Sequence, residues 1–271
     1  MAKQTFYRGC LLGMAVGDAM GYTVDDRSLE QIRQDYGPEG LLGYDLVNGC
    51  ADVSSYTQLA AFAGNGLLLG LTRGQMQGVM APYVRYIALA QREWSQTQRY
   101  SGNPDRSVCW VSRGRELRGR RCMDTRMLDT LNQGRPGSME EPVNRFVTPG
   151  AMTVSIPVGM FFNPLRTGRE EVDRLGAEAM ALTHGAPQAF LAGGIKMRNV
   201  AEAVHAEVGE AFPPFFGDQG GDRGGQGAAS VPEDHGTYIQ QMRKQHGLQT
   251  EVAEEDNGIL IGIFHPVEVA V

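Results

Sequence analysis

Tyr7 to Gly21 constrains the chain most. It is apolar and built of small residues: Leu11, Leu12, Met14, Ala15, Val16, Ala19 and Met20 alternate with glycines at short intervals. Such a stretch suits a helix packed tightly against other helices, because small side chains let backbones approach. Helical signals dominate the rest of the first 208 residues. Ser28-Leu29-Glu30-Gln31 fits a capping box, in which serine caps the helix and glutamine reaches back. It opens a helix from about Leu29 to Asp35, stopped by Tyr36-Gly37-Pro38. Thr57 to Leu71 is apolar without strand-like alternation, and Thr57 suits a helix N-cap. Pro82 fits the first turn of a helix running to about Gln98, with Tyr83, Tyr86, Ile87 and Leu89-Ala90 at helical spacing. Met123 to Leu131 is another expected helix, ended by the glycines and proline of 133–137. Thr167-Gly168-Arg169-Glu170 fits a second capping box, after which Val172, Leu175, Ala179 and Leu182 share one face. A further helix is expected from about Gln188 to Val208.

The pattern then changes. Phe212 to Gly227 carries two prolines and six glycines with no periodicity, which fits a loop or linker. Tyr238 to Gln245 fits one more helix. Ile259 to Phe264 is β-branched and aromatic, as in a strand. No internal repeat is present. The expectation is an all-α fold, a single domain over 1–271, with a Gly-rich loop at about 212–231, an atypical tail at 232–271 and an irregular C-terminal quarter.

Composition narrows the function classes. The chain has 271 residues, 42% of them hydrophobic, enough for one large core. Its formal net charge of -6 is the wrong sign for a typical nucleic-acid binder. The exception is Arg113 to Arg121, which holds five arginines and reads as a solvated helix face or loop. Cys10, Cys50, Cys109 and Cys122 include no C-x-x-C pair, so they lack metal-ligand spacing and fit reduced, mostly buried thiols in a cytoplasmic protein. The apolar stretch Cys10 to Val16 is too short for a membrane span of ~20 residues and fits a buried helix better than an export signal. No nucleic-acid or membrane partner is therefore expected.

Several segments, taken in order, resemble the ADP-ribosylglycohydrolase family. Gly9 to Gly21 matches its opening helix, G-x-x-x-G-x-A-x-G-D-A-x-G. Ser28 to Gly40, ending Tyr36-Gly37-Pro38-Glu39-Gly40, resembles the next segment, and Gly134-Arg135-Pro136-Gly137-Ser138 with Glu141-Pro142-Val143-Asn144, and Gly150 to Phe162, resemble segments of bacterial members. Ala181-Leu182-Thr183-His184-Gly185 resembles A-x-T-H-x. Together they span roughly residues 7 to 190.

The resemblance implies an orthogonal multi-helix bundle and removal of ADP-ribose from modified protein side chains. The expected partner is ADP-ribose or an ADP-ribosylated protein. It implies magnesium, held by carboxylates and threonines, that polarises the ribose and activates water. The implied catalytic residue is Asp25, where glutamate is usual. Ser54, Thr57 and Asp222 are the implied metal ligands. Asp18, Gly150, Ala151 and His184 are implied to border the ADP-ribose pocket. For Asp18 a cap on a buried helix or turn is the equal alternative.

The chain departs from the family where ions bind. The motif T-D-D-T-Q aligns with Ser54-Ser55-Tyr56-Thr57-Gln58, so Ser55 and Tyr56 replace both aspartates. In G-D-x-D, Asp222 is kept, but Gly224 replaces the second aspartate and Arg223 brings a cation. Val154 stands where arginine is usual. Three readings are open: a degenerate member that still binds ADP-ribose, an active hydrolase using Asp25, Asp222 and Asp52, or a non-catalytic interaction protein.

Overall fold

The computed structural model describes residues 2–46, 48–78, 81–99, 106–121 and 125–208. The Gly-rich segment, Asp222, the expected helix at Tyr238 to Gln245 and the expected strand at Ile259 to Phe264 lie outside the described residues, as does Cys122. The described residues form ten helices and no strand. They are α1 (Ala2–Tyr22), α2 (Leu29–Tyr36), α3 (Ser55–Gln77), α4 (Tyr83–Arg99), α5 (Arg115–Arg118), α6 (Thr125–Leu131), α7 (Ser155–Phe161), α8 (Pro164–Thr167), α9 (Arg169–Ala181) and α10 (Pro187–Val208). Two 3-10 turns, Trp110–Arg113 and Pro149–Val154, sit between them. The fold is all-α.

The core forms around α3. Leu59, Phe62, Ala63 and Leu67 of α3 meet Ile87, Ala90 and Trp94 of α4, Val158 of α7, Val172 and Ala179 of α9, and Met197 and Ala201 of α10. Helix α3 passes straight through its glycines because its neighbours need the room. A Cβ on Gly66 would sit 2.6 Å from the Tyr86 carbonyl oxygen, so the backbones of α3 and α4 nearly touch there. On the other side, a Cβ on Gly194 would lie 2.6 Å from the Asp173 carbonyl oxygen, which sets how closely α10 crosses α9. Glycine's conformational cost in these helices is offset by the apolar contact that close approach allows.

Four expectations are corrected. First, α1 is not buried. Ala19 is its one buried residue among those described, Leu12 and Val16 face solvent, and a Cβ at Gly9, Gly13, Gly17 or Gly21 would meet nothing within 4 Å. Small residues permit close packing but do not supply the partner. Second, the capping box at Ser28 forms: Gln31 N donates to Ser28 Oγ at 3.3 Å, and Ser28 N donates to Gln31 Oε1 at 2.7 Å. The one at Thr167 does not. Asn163 caps the single turn α8, Thr167 ends that turn, and Gly168 at φ 86° starts α9 without a side-chain cap. Third, α3 starts at Ser55, so Thr57 lies inside its first turn rather than at the N-cap. Fourth, the thiols are not mostly buried: Cys109 is, Cys10 is half-buried and Cys50 is exposed.

Candidate functional site

The start of α3 carries the resemblance motif, and its polar groups converge on one carboxylate. Ser54 is extended and serves as the N-cap, its Oγ accepting from Tyr56 N at 3.0 Å. Asp18, in the last turns of α1, reaches the same helix end. Its Oδ1 accepts from Ser54 Oγ at 2.6 Å. Its Oδ2 accepts from Ser54 N at 2.8 Å, Thr57 Oγ1 at 2.5 Å and Thr57 N at 3.3 Å. A helix N-terminus offers unpaired N–H groups and a partial positive charge, so a carboxylate is favoured there. Ser54 and Thr57 are 4% and 7% exposed, so these bonds lie in a largely dehydrated place where each is stronger than in water. Asp18 is thus a cap supplied from a distant helix.

The next residues build the walls. Ser55, at the position of the first missing aspartate, is buried. Tyr56, at the second, is half-buried, and its carbonyl accepts from Thr153 Oγ1 at 3.2 Å. Thr153 lies near the end of the 3-10 turn that contains Gly150 and Ala151, which brings that turn against the start of α3. At the opposite end of the turn, Thr148 Oγ1 shares a 2.6 Å hydrogen bond with His184 Nε2. His184 is buried, and its Nδ1 shares a second bond, 2.9 Å, with Thr183 Oγ1. One ring nitrogen donates and the other accepts in a neutral imidazole, so two hydroxyls satisfy it. Asn144, to which sequence reasoning gave no role, ties the same corner. Its Nδ2 donates to the Thr183 carbonyl at 2.8 Å, and its Oδ1 accepts from Gly185 N at 2.9 Å.

The structure therefore gathers Asp18, Ser54 and Thr57 at one helix end, with Gly150 and Ala151 in the adjoining turn and His184 hydrogen-bonded to Thr148 at the start of that turn. Asp25 is exposed in the turn after α1, and no hydrogen bond or ion pair among the described residues ties it to this cluster. Asp52, the nearest other carboxylate in sequence, pairs with Arg121 Nη2 at 2.7 Å. Among the described residues no three His, Cys, Asp or Glu side chains group closely enough to hold a metal ion.

Sequence reasoning also missed the amide network directly below the site. Gln58 is fully buried. Its Nε2 donates to the carbonyls of Glu116 at 2.8 Å and Gly119 at 3.0 Å, and its Oε1 accepts from Trp94 Nε1 and Gln98 Nε2, each at 3.1 Å. The signal was a glutamine inside an otherwise apolar helical stretch, where a buried amide must find partners.

No curated protein and no solved structure matches the chain. The sequence model of the ADP-ribosylglycohydrolase family matches residues 2–256, nearly the whole length and well beyond residue 190, where the ordered series of resembling segments ends. That match, the helical fold and the ordered motifs agree: the chain belongs to the ADP-ribosylglycohydrolase family.

Proposed function

We propose that this chain is a family member that binds ADP-ribose, free or on a modified protein, with hydrolysis impaired or lost. The observation that carries the reading is the state of Asp18, Ser54 and Thr57. Magnesium requires near-octahedral oxygen ligands and gives up its water reluctantly, so it needs carboxylates with free lone pairs. Here Asp18 Oδ2 accepts three hydrogen bonds and Oδ1 one, so this carboxylate is largely engaged as a cap, and the Ser54 and Thr57 hydroxyls are neutral oxygens that add no charge. Ser55 and Tyr56 are neutral replacements for two charged ligands. Asp52 is neutralised by Arg121. The described residues thus do not fit a magnesium site, and no catalytic step is assigned to one.

The protein's own groups still support a pocket. The 3-10 turn with Gly150 and Ala151 offers backbone N–H groups beside the start of α3, and the Thr148–His184–Thr183 chain fixes one end of it. Backbone N–H groups in such turns suit phosphate oxygens. Asp222 belongs to this reading as a remnant ligand from outside the described residues. The competing reading, active hydrolysis through Asp25, Asp52 and Asp222, loses support from the Arg121 pair and from the solvent exposure of Asp25. A cytoplasmic location is part of the proposal and rests on the cysteines, which stay free among the described residues. Among the described residues no helix is long and apolar enough to cross a membrane.

The test is release of ADP-ribose from an arginine-ADP-ribosylated protein, followed by chromatography with and without magnesium. The expected release is at most a small excess over the enzyme-free control. Vigorous magnesium-dependent release would restore the hydrolase reading.

A further inference from the structure

The arginine-rich segment after α4 is not a loose solvated loop. Side chains of the two core helices α3 and α4 hold it along its length. At its start, Glu93 of α4 accepts from Val108 N and Cys109 N, each at 3.1 Å, and from the Ser107 hydroxyl. In its middle, Asn65 of α3 accepts from Val111 N at 3.1 Å. At its end, Gln58 and Gln98 bond the carbonyls of Glu116 and Gly119, while Gln98 Oε1 accepts from Arg121 N at 2.8 Å. Backbone groups from Val108 to Arg121 are thus fixed by side chains of the rigid core. The helical content of the segment is too small to explain that order by itself, since isolated turns of this length are unstable.

This anchoring decides what points outward. In a 3-10 turn, residues three apart eclipse. Val111 and Ser112 are buried inside the turn Trp110–Arg113, which leaves Trp110 and Arg113 on the outer side, Trp110 being 58% exposed. Val108, beside it, is 42% exposed. The next turn, α5, carries Arg115 and Arg118 three apart, again on one face. Among the described residues Arg113, Arg115 and Arg118 have no acidic partner, whereas Arg121 is used on Asp52. The result is an exposed indole, an exposed apolar side chain two residues before it, and three guanidinium groups without an acidic partner among the described residues, Arg113 and Arg115 exposed and Arg118 half-buried, all on a backbone that is already ordered.

We propose that this surface, Val108, Trp110, Arg113, Arg115 and Arg118, docks an acidic surface of a partner protein. Two observations favour a protein over the other polyanions. Trp and Arg are the residues that carry most binding energy at protein interfaces. The chain as a whole carries a net charge of -6, which opposes a polyanion that extends beyond the patch, such as a nucleic-acid strand, more than a protein whose acidic groups are confined to one face. Because the turn is pre-ordered, docking forgoes most of the entropy cost of fixing a loop. The inference is independent of whether the α3 site hydrolyses anything.

The test uses the full chain at low ionic strength, with fluorescently labelled poly-L-glutamate as the acidic protein-like probe and single-stranded oligo-dT of matched charge as the nucleic-acid probe. Binding is read as anisotropy, and Trp110 emission reports engagement of the turn; Trp94 is fully buried and serves as the unresponsive background. The expectation is salt-sensitive binding of poly-L-glutamate, tighter than oligo-dT. In the Arg113→Glu/Arg115→Glu/Arg118→Glu variant it should weaken by about tenfold or more, with unchanged far-ultraviolet dichroism. The neutral Arg113→Gln/Arg115→Gln variant, which carries less risk to folding, should lose an intermediate amount. Tighter binding of oligo-dT, no binding of poly-L-glutamate, or binding that both variants retain in full would each overturn the proposal.

Discussion

Replacing Asp18 separates a structural cap from a ligand residue. In Asp18→Ala, two backbone N–H groups and two hydroxyls at the start of α3 lose their acceptor at once. A hydrogen bond to a charged group contributes about 1.5–3 kcal/mol, and a lost N-cap alone costs about 0.5–2 kcal/mol. The four bonds share one carboxylate and do not add, and the Ser54 side chain still caps Tyr56 N. The expected loss is therefore about 3 kcal/mol, or roughly 6–10 °C in melting temperature for a chain of this size. Asp18→Asn keeps one acceptor oxygen but turns an N–H₂ toward groups that are themselves donors, and should lose about 2 kcal/mol. Urea unfolding followed by far-ultraviolet dichroism measures both, with the ADP-ribose affinity of the folded variants recorded alongside. A loss under about 1 kcal/mol in Asp18→Ala, together with abolished nucleotide binding, would refute the capping argument and make Asp18 a ligand residue.

Three other outcomes are expected. Gly66→Ala drives a Cβ to 2.6 Å from the Tyr86 carbonyl oxygen and should cost about 3 kcal/mol by forcing α3 from α4, measured by thermal melting. Asp173 is 3% exposed with Oδ1 unpartnered, and burial, opposed by Arg198, pushes its carboxyl up to about 6. A raised carboxyl pKa means the folded state binds the proton more tightly, so this contribution to stability is complete below about pH 4 and is lost as pH rises through about 6. Asp173→Asn should flatten the stability profile over that window relative to the wild type, and an unchanged slope would remove Asp173 as its source. Burial and the nearby Glu93 push the Cys109 thiol up, so peptide mapping after brief alkylation of the native protein should find Cys50 modified and Cys109 untouched until unfolding.

The helices were legible because apolar spacing is a direct imprint of which face is buried: Val172, Ala179 and Leu182 do line the core. The exposure of α1 was not legible, because the same small residues fit a packed helix and an exposed one, and the partner is not encoded locally. The capping box at Ser28 could be read from four residues, whereas the similar string at Thr167 was overridden by Asn163, which caps one turn earlier. At the site, the order of family motifs pointed to Asp18, Ser54 and Thr57, but no spacing rule relates residues 36 positions apart. For the same reason Gln58 and its reach to Gly119 went unseen. Long-range side-chain to backbone bonds leave no periodic trace in sequence.

The most direct measurement is calorimetric titration of ADP-ribose into the protein with magnesium and again with a chelator. The account predicts binding of equal affinity in both, because the pocket turn is held by His184 and Thr153 while the carboxylate at the start of α3 is occupied as a cap. Binding that appears only with magnesium, or no binding in either condition, would contradict it.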